Sequence, residues 1–288
     1  MSDNAVNWQH LSRKDLDFQL SPSKSAKDAM AVLMRHEAAG KDALRSPRIR
    51  FSLDHIYGPR PRAAYDLFTP LAAKGGPCLA FIHGGFWQEG AKSGSAFAAE
   101  ALVAEGWALA AIGYSLTPKV RLRDIVAEIA AALAHLHANA AGHGIDPDRI
   151  VLAGHSAGGH LAAAMLAGFG GPDAAAIPAG IVAMSGVYDL APVAASYVND
   201  LAGIDDGEVC DLSPLFARPI RDVPVHLLIG GDEPDAFQVQ TAALHKSWSP
   251  HLSRMTMESV PGRDHFDILD RLAETASPTF NAIRAMVQ

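Results

Sequence analysis

The sequence predicts an α/β fold with a mostly parallel central sheet and helices on both faces. From Cys78 onward, short apolar runs alternate with longer Ala- and Leu-rich segments at helical spacing. Such alternation implies right-handed crossovers between parallel strands. In the middle of this series, residues 150–153 lead into Gly154-His155-Ser156-Ala157-Gly158. This pentapeptide has the G-x-S-x-G form that is typical of a strand, a sharp turn and a helix start.

Composition limits the functions that the chain can perform. Of 288 residues, 49% are hydrophobic and 19% charged, and the formal net charge is −7. These values favour a globular protein with a sizeable core, and the lack of a linker favours one domain over residues 1–288. The negative charge argues against nucleic acid as a partner. The start of the chain lacks the regions of a signal peptide, and no apolar run reaches about 18 residues, so we expect no membrane partner and a cytoplasmic protein.

The predicted elements follow the chain in order. Residues 1–45 form a polar N-terminal helical extension with an amphipathic segment at 24–39. The predicted strands, of which the first two form an antiparallel edge pair, are 49–57, 63–68, 78–83, 107–114, 150–153, 181–187, 223–229 and 255–260. The predicted helices are 95–105, 122–141, 159–167, 237–248 and 266–286. Residues 189–213 interrupt the pattern after a strand end, where an insertion is positioned to form a small lid over a ligand.

Ser156 is the candidate nucleophile. The glycines two places on either side let the backbone turn sharply enough to lift the hydroxyl clear of the sheet. A serine hydroxyl needs a base to take its proton, usually a histidine that a carboxylate orients. After an elbow of this kind the acid comes first along the chain and the histidine second.

His265 is the candidate base among the 13 histidines. It follows the last predicted strand at a Pro261-Gly262 turn, which carries the chain back over the carboxyl edge of the sheet. The other histidines that follow Ser156 are explained better as structural or exposed residues, since they lie within or after predicted helices and strands. They are His160, His226, His245 and His251.

The acid should lie just past the strand 223–229, where three carboxylates compete. Counting three positions from Gly230 favours Glu233 over Asp232. Asp235 suits the positive N-terminal end of the following helix. The choice between Glu233 and Asp232 stays open at the level of the sequence.

A Gly-Gly turn follows the strand 78–83, in His83-Gly84-Gly85-Phe86-Trp87. Acyl transfer develops a negative oxygen that must meet preorganised N–H donors. The backbone amides of Gly85, Phe86 and Ala157 are the predicted oxyanion hole, and His83 is expected to hold the loop by hydrogen bonding. No cluster of side chains has metal-ligand spacing, so we predict no metal.

These segments together resemble the kynurenine formamidase (arylformamidase) family of α/β-hydrolases, which is related to the hormone-sensitive-lipase-like esterases. Residues 83–87 fit the family's H-G-G-x-W motif, whereas ordinary lipase-like esterases carry a third glycine in place of Phe86. Further similar segments lie at 20–23, 114–118, 185–190 and 264–269, so the resemblance spans nearly the whole chain. One departure is Glu233, since family members usually have Asp there.

The resemblance implies an α/β-hydrolase fold and a cofactor-free serine hydrolase that cleaves N-formylkynurenine to kynurenine and formate. Its triad would be Ser156, His265 and either Glu233 or Asp232. Two interpretations stay open for four aromatic residues, which either form walls for an aryl substrate or pack in the core: Trp87, Tyr114, Tyr188 and Phe237. A broad-specificity carboxylesterase or another aryl-amide hydrolase is the alternative enzyme, and a homodimer is left open. A non-catalytic binding module is a third interpretation, against which stands the presence of candidates for all three triad positions.

Overall fold

A computed structural model describes residues 8–288 of the chain. Eight strands form one sheet in the order β1-β2-β4-β3-β5-β6-β7-β8. The strands are β1 Ile49–Ile56, β2 Ala64–Pro70, β3 Gly76–Ile82, β4 Ala108–Ile112, β5 Ile145–His155, β6 Gly180–Met184, β7 Val225–Gly230 and β8 Met255–Val260. The fold class predicted from the alternation of elements is therefore confirmed.

One strand, β2, runs in the opposite direction to the other seven strands of the sheet. β1 pairs with β2 and β2 with β4 in antiparallel register, which confirms the predicted edge pair. All pairings from β4 to β8 are parallel. Since parallel strands end at the same edge, the segments that follow β3, β5, β6, β7 and β8 meet at the carboxyl edge of the sheet, where ligands bind in such folds.

Helices cover both faces of the sheet. The eleven helices of the described residues are α1 Arg13–Gln19, α2 Ala29–Ala43, α3 Ala99–Ala104, α4 Leu122–Asn139, α5 Ala157–Leu166, α6 Pro172–Ala176, α7 Ala191–Ala194, α8 Asn199–Ala202, α9 Asp206–Asp211, α10 Asp235–Trp248 and α11 Pro278–Ala285. On one face α4, α5 and α10 pack on side chains such as Leu152. On the other face α3 and α11 pack on the alternate side chains of the same strands, such as Val151. Strands buried on both faces explain the continuous apolar runs in the sequence.

Two predicted helices differ from the structure. The closing segment 266–286 is not one helix, since a 3₁₀ turn at Asp267–Leu272 is followed by a separate helix, α11. Ser277 caps α11 and Pro278 occupies its first turn, where proline's missing N–H removes no hydrogen bond. The predicted helix 95–105 likewise divides into a 3₁₀ segment at Lys92–Ala98 and the short α3.

The N-terminal extension and the insertion after β6 are both helical. The amphipathic segment predicted at 24–39 is α2, which begins later because Asp28 accepts a hydrogen bond from the N–H of Ala31 as its N-cap. The insertion predicted at 189–213 contains the three short helices α7, α8 and α9. Within residues 8–288, the structure has no helix with the length and apolar character that crossing a membrane demands.

Candidate active site

Ser156 occupies a strained turn between β5 and α5. Its φ of 54° and ψ of −117° lie in a region that non-glycine residues rarely adopt. The backbone N–H of Ser156 donates to the carbonyl of Met184 at 2.8 Å, which ties the turn to the end of β6. Strain of this kind persists only where the surroundings impose it, and it is concentrated at functional sites.

Two glycines make this turn sterically possible. A Cβ at position 154 would lie 2.0 Å from the carbonyl oxygen of Gly158, and a Cβ at position 158 would lie 2.1 Å from that of Ile82. Both distances are far below van der Waals contact with backbone atoms that cannot move aside. The G-x-S-x-G pattern therefore reflects the close approach of α5 to β3 and β5.

His265 lies on the loop after β8 and bonds to a buried carboxylate. Its Nδ1 donates to Oε2 of Glu233 over 2.6 Å, and the Glu233 side chain is completely buried. Asp232 instead turns to the surface, where its carboxylate is 44% exposed and lies 3.2 Å from Nζ of Lys27. The structure thus brings Glu233, and not Asp232, to the candidate base.

Ser185 completes the environment of Glu233 and was not anticipated from the sequence. Its hydroxyl donates to Oε1 of Glu233 at 2.5 Å, and the backbone N–H of Gly230 donates to the same oxygen at 2.7 Å. With His265 on Oε2, both carboxylate oxygens have hydrogen-bond donors. The sequence signal was the position of Ser185 directly after β6, the neighbour of β7 in the sheet.

The imidazole of His265 is held between two rings. The ring of His155 lies 4.6 Å away on one side and that of Phe237 4.5 Å away on the other, as measured between ring centroids. Nε2 of His155 donates to the backbone carbonyl of His265 at 2.7 Å. Burial and the proximity of His265 hold the pKa of His155 well below its usual range, so His155 is a neutral donor.

A second carboxylate shapes the loop that carries His265. Asp264 is buried and accepts hydrogen bonds from the backbone N–H groups of Phe266, Asp267 and Lys27. Lys27 belongs to the N-terminal extension, which therefore stabilises the loop that carries the candidate base.

Ser156 and His265 line the same cavity. Among the hydrogen bonds of the described residues, none joins the Ser156 hydroxyl to the imidazole of His265. Catalytic hydrogen bonds are often long in free enzymes and tighten only when substrate binds. The geometry therefore brings the nucleophile, base and acid candidates together at one edge of the sheet.

The loop after β3 presents unpaired backbone amides to this cavity. Gly85, Phe86 and Trp87 have consecutive positive φ values of 107°, 45° and 61°. Gln88 and Glu89 donate their N–H groups to the carbonyl of Gly85, which tightens the turn. Within the described part of the chain, the N–H groups of Gly85 and Phe86 have no acceptor. The N–H of Ala157, the first residue of α5, has no acceptor within its helix.

His83 holds this loop in place, as the sequence predicted. Its Nδ1 donates to the carbonyl of Gly84 at 2.8 Å, and its ring stacks on Tyr114 with 4.2 Å between centroids. The hydroxyl of Tyr114 donates to the carbonyl of His83 at 2.9 Å. Burial lowers the pKa of His83 to about 4, so this histidine is neutral near pH 7.

The four aromatic side chains interpreted either as cavity walls or as core packing do not line the cavity. Trp87, Tyr114, Tyr188 and Phe237 are all completely buried. Each supports the site from behind: Trp87 contacts the ring of His160 on α5, Tyr114 stacks on His83, and Phe237 packs on His265. Tyr188 donates its backbone N–H to the side chain of Gln240. Of the two interpretations of these residues, the structure agrees with core packing and not with cavity walls.

The cavity has a volume of about 360 Å³. Its aromatic lining comes from other residues, namely Phe81, Phe86, Phe97, Tyr197 and Phe266. Tyr197 belongs to the predicted lid, and Pro22, Ser23, Leu33 and His36 of the N-terminal extension also line the cavity. The lid and the extension contact each other, since Asp17 accepts a hydrogen bond from the N–H of Tyr197 at 2.8 Å.

Comparison with known proteins agrees with this geometry. The BD-FAE family model matches residues 65–202. The kynurenine formamidase of Danio rerio is 26% identical over 93% of this chain and 94% of its own length. A crystal structure of a candidate thioesterase from Silicibacter sp. TM1040 superposes with a TM-score of 0.83 at 31% identity, covering 94% of this chain and 99% of that one. The chain belongs to the α/β-hydrolases, and it is similar to kynurenine formamidases over most of its length.

The activities of the relatives indicate the type of reaction that the chain catalyses. Esterase LipC of Mycobacterium tuberculosis is 30% identical over 84% of this chain and 66% of its own length, so relatives include an esterase beside the formamidases. The protein is accordingly an enzyme of the serine hydrolase type, with esterase or amidase activity.

Proposed function

We propose that this hydrolase cleaves aryl formamides, with N-formylkynurenine as the preferred substrate and with kynurenine and formate as products. The observation that carries the proposal is the buried pair of His265 and Glu233 in a cavity shared with Ser156 and with the free amides of Gly85 and Phe86. The likeness to a kynurenine formamidase along 93% of the chain supports an aryl formamide as the substrate.

The residues perform the reaction in two halves. Ser156 Oγ attacks the formyl carbon while Nε2 of His265 takes the hydroxyl proton, and the negative oxygen is bound by the amides of Gly85, Phe86 and Ala157. Collapse of this intermediate breaks the C–N bond, and His265 returns the proton to the departing aryl amine. Water then attacks the formyl-serine with His265 again acting as base, which releases formate and restores the hydroxyl.

Glu233 orients the imidazole of His265 in both half-reactions. Its carboxylate holds the proton on Nδ1, so Nε2 is left free to accept one, and it stabilises the imidazolium that forms in each half-reaction. Ser185 and Gly230 hold the second carboxylate oxygen, so the carboxylate is oriented before substrate arrives. Such preorganisation is the usual source of rate enhancement at these sites.

A substrate panel tests the proposal. The kcat/KM values of N-formylkynurenine, formanilide, acetanilide and 4-nitrophenyl acetate are compared, with the Ser156→Ala variant as background. Formanilide and acetanilide differ by one methyl group on the acyl side, so their ratio measures selectivity for the formyl group. We expect N-formylkynurenine to be the best amide substrate and formanilide to exceed acetanilide by at least about tenfold.

The second candidate function is a carboxylesterase, which the 30% identity to Esterase LipC favours. It predicts rapid cleavage of 4-nitrophenyl acetate and no cleavage of either formamide above the Ser156→Ala background. That result would replace the formamidase proposal while leaving the assignment of Ser156, Glu233 and His265 intact.

A further inference from the structure

The cavity that contains Ser156 has an unbalanced charge at its mouth. Neither lysine nor arginine occurs among the described residues that line it, and Glu89 contributes the one carboxylate. Two histidines on its walls do not compensate this charge, because burial lowers the pKa of His83 to about 4 and holds that of His155 far below its usual range. His36 bonds through Nε2 to Asp270, whose carboxylate also forms a bidentate pair with Arg35.

Glu89 is fixed close to the reacting groups by its backbone. Its N–H donates to the carbonyl of Gly85 at 3.0 Å, in the turn that presents the oxyanion amides. A Cβ on Gly85 would lie 2.8 Å from Cγ of Glu89, so the stem of this side chain packs directly on the turn. The carboxylate itself is exposed, and within the described residues it has neither a hydrogen-bond donor nor an ion-pair partner.

Two cations near this loop, Arg62 and Lys92, bond to groups other than Glu89. Arg62 donates to the carbonyls of Gly90 and Tyr114 and makes no ion pair with Glu89. Lys92 forms ion pairs with Asp54 and Asp66 on the far side of the loop. Within the described residues no ion pair holds the Glu89 carboxylate, so it is available to a charged group that enters the cavity.

We propose that Glu89 determines specificity, by making the cavity favour substrates that place a positively charged group beside its carboxylate over substrates that place a negative group there. The inference rests on the proposed function, because it requires that hydrolysis occurs at Ser156. It adds to that function the charge that the substrate places beside Glu89. An ammonium group within a few ångströms of the carboxylate gains Coulomb energy, and an anion there loses it. Because Glu89 is exposed, solvent screening limits the effect to about three- to tenfold for each substrate.

The experiment compares matched aryl substrates that differ only in charge. Three phenyl acetates carry, at the 4-position of the ring, a trimethylammonio group, hydrogen or a carboxylate. A second series uses the corresponding formanilides. For each substrate, kcat/KM of the wild type is divided by that of Glu89→Gln, so differences in leaving-group reactivity cancel. Glu37→Gln is the control variant, since Glu37 is an exposed carboxylate that pairs with Lys41 and does not line the cavity.

We expect the wild-type to Glu89→Gln ratio to be about three to ten for the cation, near one for the neutral substrate and below one for the anion. Glu89→Lys should invert the preference, and the cation ratio should fall toward one as NaCl rises from about 0.02 to 0.5 M. Glu37→Gln should leave all ratios near one. A uniform change across the three charges, or no change, would overturn the role of Glu89.

The two series separate this inference from the formamidase proposal. Cleavage of the acetates alone contradicts the formamidase function, yet the charge ratios of the acetates still decide the role of Glu89. If both series are cleaved and the wild-type to Glu89→Gln ratio of kcat/KM is the same for all three charges, the formamidase function stands and the role of Glu89 is contradicted.

Discussion

The floor and the roof of the cavity are built in different ways. The floor is defined here as Ser156 and His265, which line the cavity, together with Glu233 and Ser185, which hold His265 from behind. Its residues follow strands of one sheet, and each is at most 6% exposed. The roof consists of Pro22, Ser23, Leu33 and His36 from the extension together with Tyr197 from the lid. Leu33 is 46% and Tyr197 41% exposed.

This difference follows from what holds each part. Strand pairing fixes the strand ends relative to one another, and buried hydrogen bonds then position the floor side chains. The roof is held by contacts between two segments far apart in the sequence, such as the hydrogen bond from Tyr197 to Asp17 near the surface. We therefore expect changes in the floor to affect kcat by orders of magnitude and changes in the roof to affect KM moderately.

The largest expected effect is at the nucleophile. Ser156→Ala should lower kcat by about 10⁵- to 10⁶-fold, because members of a triad act as a unit and the loss of one removes most of the benefit. The free energy of unfolding should not fall, since the strained serine hydroxyl has no hydrogen bond within the described residues. A folded variant that keeps a tenth of the wild-type rate would show that Ser156 is not the nucleophile.

The adjacent carboxylates provide the next test. Glu233→Gln removes the acceptor that holds the proton on His265 Nδ1, which should lower kcat by about 10⁴-fold. Asp232→Asn is the matched control, since it changes the same charge one residue away at an exposed position and should lower kcat less than about twofold. Steady-state kinetics on folded proteins distinguish them, and the reverse order of damage would assign the acid to Asp232.

A substitution at Ser185 tests how much the hydrogen bond to Glu233 contributes to kcat. Ser185→Ala removes a buried hydrogen bond to a carboxylate and should lower the free energy of unfolding by about 2 kcal/mol. It should also lower kcat by about tenfold through looser orientation of Glu233. Ser213→Ala removes comparable buried hydrogen bonds away from the site and should cost similar stability with unchanged kcat. Equal kcat in both variants would mean that Ser185 is only structural.

Substitutions in the roof should change the kinetic constants least. Tyr197→Ala removes one exposed aromatic wall and should raise KM for an aryl substrate by about two- to fivefold, with kcat within twofold. Tyr197→Phe keeps the ring and loses only the hydroxyl that donates to Leu20, so its KM should match that of the wild type. A drop of kcat by more than tenfold in Tyr197→Ala would contradict the division between floor and roof.

Much of the floor could be predicted because it depends on local sequence. The elbow around Ser156 needs glycine at fixed spacing, since any Cβ at 154 or 158 would collide with backbone. The turn after β3 and the loop after β8 each follow directly from a strand end. Position relative to a strand end was therefore enough to bring Ser156, Glu233 and His265 to one edge.

The sequence by itself determined the parallel sheet, the elbow and the residues that meet at the carboxyl edge, because strand periodicity and turn chemistry are local properties. Only the tertiary structure decided which way a side chain at a strand end turns. In the structure Glu233 is buried and accepts a hydrogen bond from Ser185, whereas Asp232 lies at the surface. Trp87 and Tyr114 pack behind the cavity. These outcomes depend on neighbouring strands and on the extension, whose contacts over long sequence separation leave no periodic signal in the chain.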